Sequence, residues 1–183
     1  EGGSLQQRER VEQWFAKARR EDPGAVSLAM LEADLKSHAG SHDDVVAIYR
    51  TILARQDLTA MQSAVVANNL AFHLAHPETA AEAETLVERA IEELGPHPDV
   101  LDTRGVVLLA SGKTAEAVDV LQEAVLEPSA IKYLHLASAL IAHKQIEAAK
   151  LALAQAHKLG LDRRTLDDDD AERLNAVDAA IGS

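Results

Sequence analysis

Residues 105–128 read GVVLLASGKTAEAVDVLQEAVLEP. This stretch has the pattern of two short helices folded back on each other across a tight turn. Val106, Leu108 and Leu109 sit among small residues at helical spacing, and Gly112 stops that helix where a left-handed residue is useful. Thr114 is placed to cap the second helix, and Glu116 falls in its first turn, where negative charge suits the helix dipole. Ala117, Leu121 and Ala124 then follow at i, i+4 and i+7, one face of a helix. Gly105 and Ala117 carry most of the argument. Where two helices press together, a missing side chain lets the backbones approach.

The same pattern returns on either side of this stretch. Helices are predicted over 5–22, 27–39, 43–55, 59–75, 79–94, 100–110, 115–126, 130–143, 146–159 and 168–181, with Gly and Pro punctuating most of the turns. The small residue of each first helix is Ala33, Ala71, Gly105 and Ala137, at separations of 38, 34 and 32 residues. Twelve positions after each come Val45, Ala83, Ala117 and Ala149. Sixteen after come Tyr49, Val87, Leu121 and Leu153; nineteen after come Ile52, Ala90, Ala124 and Ala156. Val11, Phe15 and Ala18 each lie 34 residues before Val45, Tyr49 and Ile52, so the front helix joins the same register.

Composition agrees with an all-helical chain. Of 183 residues, 47% are hydrophobic and only 3% aromatic, so the core is built from Ala, Leu, Val and Ile; Ala and Leu are good helix formers. Net charge is −12, from 18 Lys and Arg against 30 Asp and Glu. Nucleic-acid binding needs a basic footprint, and Arg8, Arg10, Lys17, Arg19 and Arg20 are diluted by Glu9, Glu12, Glu21 and Asp22. Anionic membrane surfaces are disfavoured for the same reason, and no apolar run approaches the ~20 residues of a membrane span. With no cysteine, disulfides, thiolate metal sites and cysteine catalysis are out of reach. The chain begins with Glu1 rather than Met, which reads as a fragment or a processed product with room for further repeats ahead.

In these features the chain resembles the tetratricopeptide repeat family, and within it a bacterial-type scaffold. That family repeats a helix–turn–helix of ~34 residues with a Trp, Leu, Gly, Tyr first helix and an Ala, Phe, Pro second half. The third copy supplies Leu101, Gly105, Leu108, Ala117, Leu121 and Pro128; the fourth Tyr133, Leu136, Ala137, Leu140, Ala149 and Leu153; the second Leu70, Ala71, Leu74, Ala83 and Val87. The resemblance implies an all-α fold, a right-handed α-solenoid of antiparallel helix pairs. It divides 1–183 as one domain into an N-terminal half-repeat (5–22), four repeats (25–57, 60–95, 97–128 and 129–160) and a C-terminal capping helix (166–181). Ala171, Leu174, Val177 and Ile181 lie on one face of that last helix, which is expected to cover the apolar face of 146–159. The first full copy departs from the pattern. It has Glu32 and Lys36 where apolar residues belong, and Val45 and Ile52 where small ones do.

Catalytic and metal motifs do not assemble. Gly112-Lys113-Thr114 resembles the end of a phosphate loop, but Val107 stands where its first glycine belongs and a helix precedes it. The run Asp167–Asp170 lacks the alternating calcium loop and reads as charge at a helix start. Eight histidines occur without an HExxH or Cys/His spacing. His38 and His76 end successive first helices and are expected side by side. No catalytic residue, metal ligand or cofactor site is predicted, and the chain reads as a non-enzyme.

The resemblance puts the first helices on a concave face where extended peptides or partner helices bind. In the second copy Ala67, Leu70, Ala71 and Leu74 face the core, leaving Asn68, Asn69, Phe72 and His76 on the other side. Equivalent positions are Met30, Asp34 and His38 in the first copy, Asp102 and Val106 in the third, and Leu134 and Ser138 in the fourth. Asparagine carries both a donor and an acceptor, matching a peptide backbone. One subfamily grips a C-terminal carboxylate with Lys and Arg in this groove. Asn69 matches its asparagine, but Val65, Phe72, Asp99 and Ser138 replace the basic residues, which argues against that ligand. Asp34, Asp99 and Asp102 favour a neutral or basic peptide over an acidic one.

The expected function is a protein–protein scaffold, with self-association as an alternative use of the face. Two other readings are a sensor of a peptide or small ligand, and the repeat segment of a larger enzyme or of a secretion or assembly machine. A cytoplasmic location is expected.

Overall fold

The computed structural model describes residue 10 and residues 13–18, 20–22 and 24–182. No strand occurs among the described residues. Residues 13–18 and 20–21 are helical; the remainder of the predicted helix 5–22, Val11 included, lies outside the described residues apart from residues 10 and 22. Phe15 and Ala18 are half-buried, and Trp14 packs edge-on against Phe15 with ring centroids 5.3 Å apart.

Four helix pairs follow. They are α1 (Val26–Ser37) with α2 (His42–Leu53), α3 (Ala60–His73) with α4 (Ala80–Leu94), α5 (Pro98–Ala110) with α6 (Thr114–Ala124), and α7 (Ala130–Ala142) with α8 (Ile146–Lys158). A short 3-10 turn (Arg163–Thr165) leads into α9 (Asp168–Gly182). Each pair packs on the next, α2 on α3, α4 on α5 and α6 on α7. The first helices α3, α5 and α7 lie side by side as an inner wall, and α9 packs on α7 and more lightly on α8.

The register read from sequence is the register of packing. All sixteen landmark residues of the four copies are buried. A Cβ on Gly105 would collide with Leu121 Cγ and lie 2.7 Å from its Cδ2, so the absent side chain is what lets α5 and α6 close. In the first copy Val45 and Ile52 are buried beside Tyr49 despite their size. The half-buried Glu32 and Lys36 line a recess with Asp44 and Thr51, where Lys36 Nζ meets Asp44 Oδ2 at 2.8 Å. Removing a Leu or Val side chain from water contributes about 1.5–3 kcal/mol, which is how a core with so few aromatics holds.

Helix ends follow local chemistry. Thr59 and Gln62 form a reciprocal capping box at α3, with Gln62 N donating to Thr59 Oγ1 at 3.1 Å and Thr59 N to Gln62 Oε1 at 3.0 Å. Thr114 does not cap α6 as expected. Lys113 holds the cap position, and the Thr114 hydroxyl lies 3.1 Å from His143 Nδ1 on the next pair. At Gly112 the chain turns left-handed (φ 74°), and Lys113 N donates back to Leu108 O at 2.9 Å. The fourth copy makes the same turn with Lys144 (φ 63°), and Gln145 N donates to Leu140 O at 2.8 Å.

The last helix also differs from expectation. It shields the inner helix α7 more than the outer α8, burying Leu174 and Val177 with Leu134 while Leu151 of α8 stays exposed. Its first residues therefore reach past the final pair, toward the opposite end of the wall.

Candidate protein-binding face

The inner wall divides into an open part and a part covered by the chain itself. Three polar groups organise the open part. Tyr49, buried in α2, donates its hydroxyl to Asp34 Oδ1 at 3.3 Å, and Asn69 Nδ2 donates to the same hydroxyl at 3.4 Å. Burial, then the nearby Asp34 carboxylate, pushes the Tyr49 phenol up to about 12, so it stays protonated. Asn68 Nδ2 lies 3.5 Å from Asn69 Oδ1, whereas Asn68 Oδ1 is buried with no hydrogen-bond partner. Beside the two amides is a recess of about 340 Å³ lined by Val65, Asn68, Asn69, Leu94, His97, Asp99 and Val100. It lies between α3 and the start of α5. Asp99 on its rim accepts from Lys132 Nζ at 2.7 Å.

The covered part is held by histidines and the acidic start of α9. His135 on α7 is 1% exposed. Its Nδ1 lies 2.9 Å from Asp102, its Nε2 lies 3.0 Å from Asp170 Oδ1, and Phe72 packs on its ring with centroids 5.8 Å apart. Burial alone would depress this imidazole, but Asp102 and Asp170 outweigh burial and lift it to about 9, so the ring is charged at neutral pH and donates from both nitrogens. Burial opposes ionisation of Asp170, yet the His135 and Arg173 cations hold its carboxyl below the usual range. Further along, Ser37 Oγ donates to Asp167 Oδ2 at 3.3 Å, and His76 Nε2 sits 3.8 Å from Asp169 Oδ2. Asp167 also caps the helix it precedes, accepting from Asp170 N at 2.9 Å. The C-terminal segment thus crosses the wall from α7 to the turn after α1.

This placement sorts the eleven residues expected on the face. Asn68 and Asn69 are half-buried and border the recess. Asp34 and His38 are exposed, with His38 Nδ1 bonded at 2.9 Å to the Asp34 carbonyl, and Ser138 is half-buried. Met30 and Phe72 are half-buried against the core, and His76 is paired with Asp169. Asp102, Val106 and Leu134, at 9%, 1% and 0% exposure, are interior. Asp102 is paired with the buried His135 of α7, Val106 packs into the hydrophobic core, and α9 buries Leu134 with Leu174 and Val177. His38 does not stand beside His76. That neighbour is His42, its ring centroid 5.2 Å away.

No family model matches the sequence, and no curated protein matches it. Among solved structures the chain is similar to a thermophilic TPR protein from Thermus thermophilus, with a TM-score of 0.70 and 16% sequence identity, over 100% of this chain and 96% of that one. The chain has a tetratricopeptide-type fold. No helix among the described residues is long and apolar enough to cross a membrane.

Within this tetratricopeptide-type arrangement, sequence reasoning gave no site role to His135, Asp170, His42 or Tyr49. One signal was present for His135. It lies two residues before Ala137, as Asn69 lies two before Ala71, so it holds the polar wall position of its copy. Asp170 gave no such signal, because its partner is 35 residues away on another element.

Proposed function

We propose that the chain is a non-catalytic scaffold that takes a short extended segment of a partner protein, neutral or basic in charge, into the recess beside Asn68 and Asn69. The observation carrying this reading is the buried, unpartnered Asn68 Oδ1 beside that recess. A buried acceptor without a partner costs about 1–3 kcal/mol, and a backbone N–H of a bound segment would satisfy it. Val65, Leu94 and Val100 supply apolar contact, and the exposed Asp34 and Asp99 set the charge preference. The occupant lies short of Phe72 and His76, since the chain's own segment covers that end.

The test is a selection of binding peptides from a random displayed library, followed by affinity measurement on variants. Asn68→Ala and Asn69→Ala are expected to weaken the selected peptides ten-fold or more, since each ~1.4 kcal/mol is ten-fold. Glu92→Ala, on the exposed face of α4, is expected to leave affinity unchanged. Equal affinity for the asparagine variants, with loss at Glu92→Ala, would move the site to the outer face.

The docked C-terminal segment gives a sensor reading its own support. A ligand that displaced Asp167–Asp170 would open the wall and change the dimensions of the molecule. Small-angle scattering with and without a selected peptide separates the two: unchanged dimensions keep the scaffold reading.

A further inference from the structure

The acidic start of α9 meets three histidines drawn from two other elements. His42 is the first residue of α2, His73 the last of α3, and His76 lies three residues beyond it. Ligand-capable atoms of His42, His73 and Asp169 all lie within 4.8 Å of one another. His76 Nε2 is 3.8 Å from Asp169 Oδ2, and its ring stands against that of His42. A cavity of about 30 Å³ opens among His42, His73 and Asp169, with Ser37 and Asp167 also on its wall. That is about the share of volume of one water molecule.

We propose that His42, His73, His76 and Asp169 bind one divalent transition-metal ion of the zinc class, which fastens the C-terminal segment to the first two helix pairs.

The donor set selects the class of ion. Three imidazoles and one carboxylate suit zinc and its neighbours, whereas calcium takes six to eight oxygens and magnesium keeps octahedral oxygen and water. Tetrahedral zinc with bonds of about 2.0–2.2 Å brings its ligand atoms roughly 3.4 Å apart. The donors of His42, His73 and Asp169, now within 4.8 Å of one another, and His76 Nε2, 3.8 Å from Asp169 Oδ2, draw together on binding. The histidine at the centre is already oriented. Tyr49 stacks on the His73 ring at 5.7 Å and 22°, and Phe72 meets it edge-on at 5.5 Å. Around the donors, Asp167 and Asp168 line the cavity and add negative charge, and Ser37 holds Asp167 in place. Such outer partners orient ligands and raise metal affinity. No spacing motif announces the set, because Asp169 stands far along the chain from the three histidines and only the crossing of the wall brings them together.

The site is separate from the Asn68–Asn69 recess, so its test is independent of the proposed function. The full chain, prepared without a histidine tag and cleared of metal by chelator, is titrated with Co²⁺ while the visible absorption of tetrahedral cobalt is followed; Zn²⁺ then competes the signal away. One ion per chain is expected, with a rise in melting temperature on adding Zn²⁺. His42→Ala, His76→Ala and Asp169→Asn should each weaken binding at least ten-fold and abolish that rise. His157→Ala, an exposed histidine on α8, should change neither. His42, His76 and Asp169 are only half-buried, so folding is checked by helical circular dichroism without metal, and Asp169→Asn, the near-isosteric change, serves if a histidine variant unfolds. Tetrahedral cobalt absorption that persists in the double variant His42→Ala, His76→Ala would overturn the assignment. So would Zn²⁺ binding no tighter than that of the double variant.

Discussion

Replacing His135 with leucine probes a buried, charge-assisted contact that ties α9 to the inner wall. Leucine fills comparable space without charge, leaving the carboxylates of Asp102 and Asp170, both nearly buried, with no cation between them. His135 makes charge-assisted hydrogen bonds to both, at 2.9 and 3.0 Å, each contributing about 1.5–3 kcal/mol. Breaking a buried pair by removing one partner costs about 3–5 kcal/mol. The lift of the imidazole from 6.5 to about 9 corresponds to about 3 kcal/mol. The expected loss is therefore about 3–5 kcal/mol, a large share of the ~5–15 kcal/mol that holds a folded chain. Urea unfolding at pH 7 measures it, and amide exchange across α9 should quicken by about a hundred- to a few thousand-fold, at ten-fold per ~1.4 kcal/mol. The pH dependence has a fixed sign. Because the folded-state value is raised, the stabilisation is complete below pH 6.5 and is lost as pH climbs through about 9. Asp102 on α5 and Asp170 with Arg173 on α9 are the charged groups facing the ring. The gap between wild type and His135→Leu should therefore narrow across that window. Unfolding midpoints equal at pH 7, or a gap that stays constant to pH 10, would refute the reasoning.

Two further expectations concern packing and turns. Gly105→Leu forces a side chain into the space of Leu121 and should destabilise by about 1–3 kcal/mol or more, as overpacked cores do; an unchanged melting temperature would break the register assignment. Lys144→Gly relieves a left-handed lysine. Strain there costs about 1–2 kcal/mol, offset in part by the greater freedom of glycine in the unfolded chain, so a net gain of up to about 1 kcal/mol is expected by chemical denaturation; a loss would show that the Lys144 side chain supports the turn.

The solenoid was legible because its signal is local and repeated. Ala33, Ala71, Gly105 and Ala137 hold fixed offsets to later landmarks, and the physics that demands small residues at close approach is the same in every copy. The helix start at Thr59 and the stop at Gly112 are equally local. The candidate face was legible only in part. Asn68 and Asn69 can be placed from periodicity, since the side of α3 away from the core follows from the core stripe. Asp102, Val106 and Leu134 follow the same periodicity, yet are interior: His135 of α7 pairs with Asp102, Val106 packs into the core, and α9 covers Leu134 from the far end of the chain. Nothing in the spacing of Asp167–Asp170 tells which wall those carboxylates meet.

Docking of a partner segment at Asn68 and Asn69, with the C-terminal segment still covering the rest of the wall, is the central claim. Amide and side-chain chemical-shift mapping of the isotope-labelled chain, titrated with a library-selected peptide, tests it most directly. The predicted result is that the largest shifts fall on Val65, Asn68, Asn69 and Val100, including the Asn68 side-chain amide, while Asp167–Asp170 stay in place. Shifts confined to the outer helices α2, α4, α6 and α8, with Asn68 and Asn69 unmoved, would contradict it.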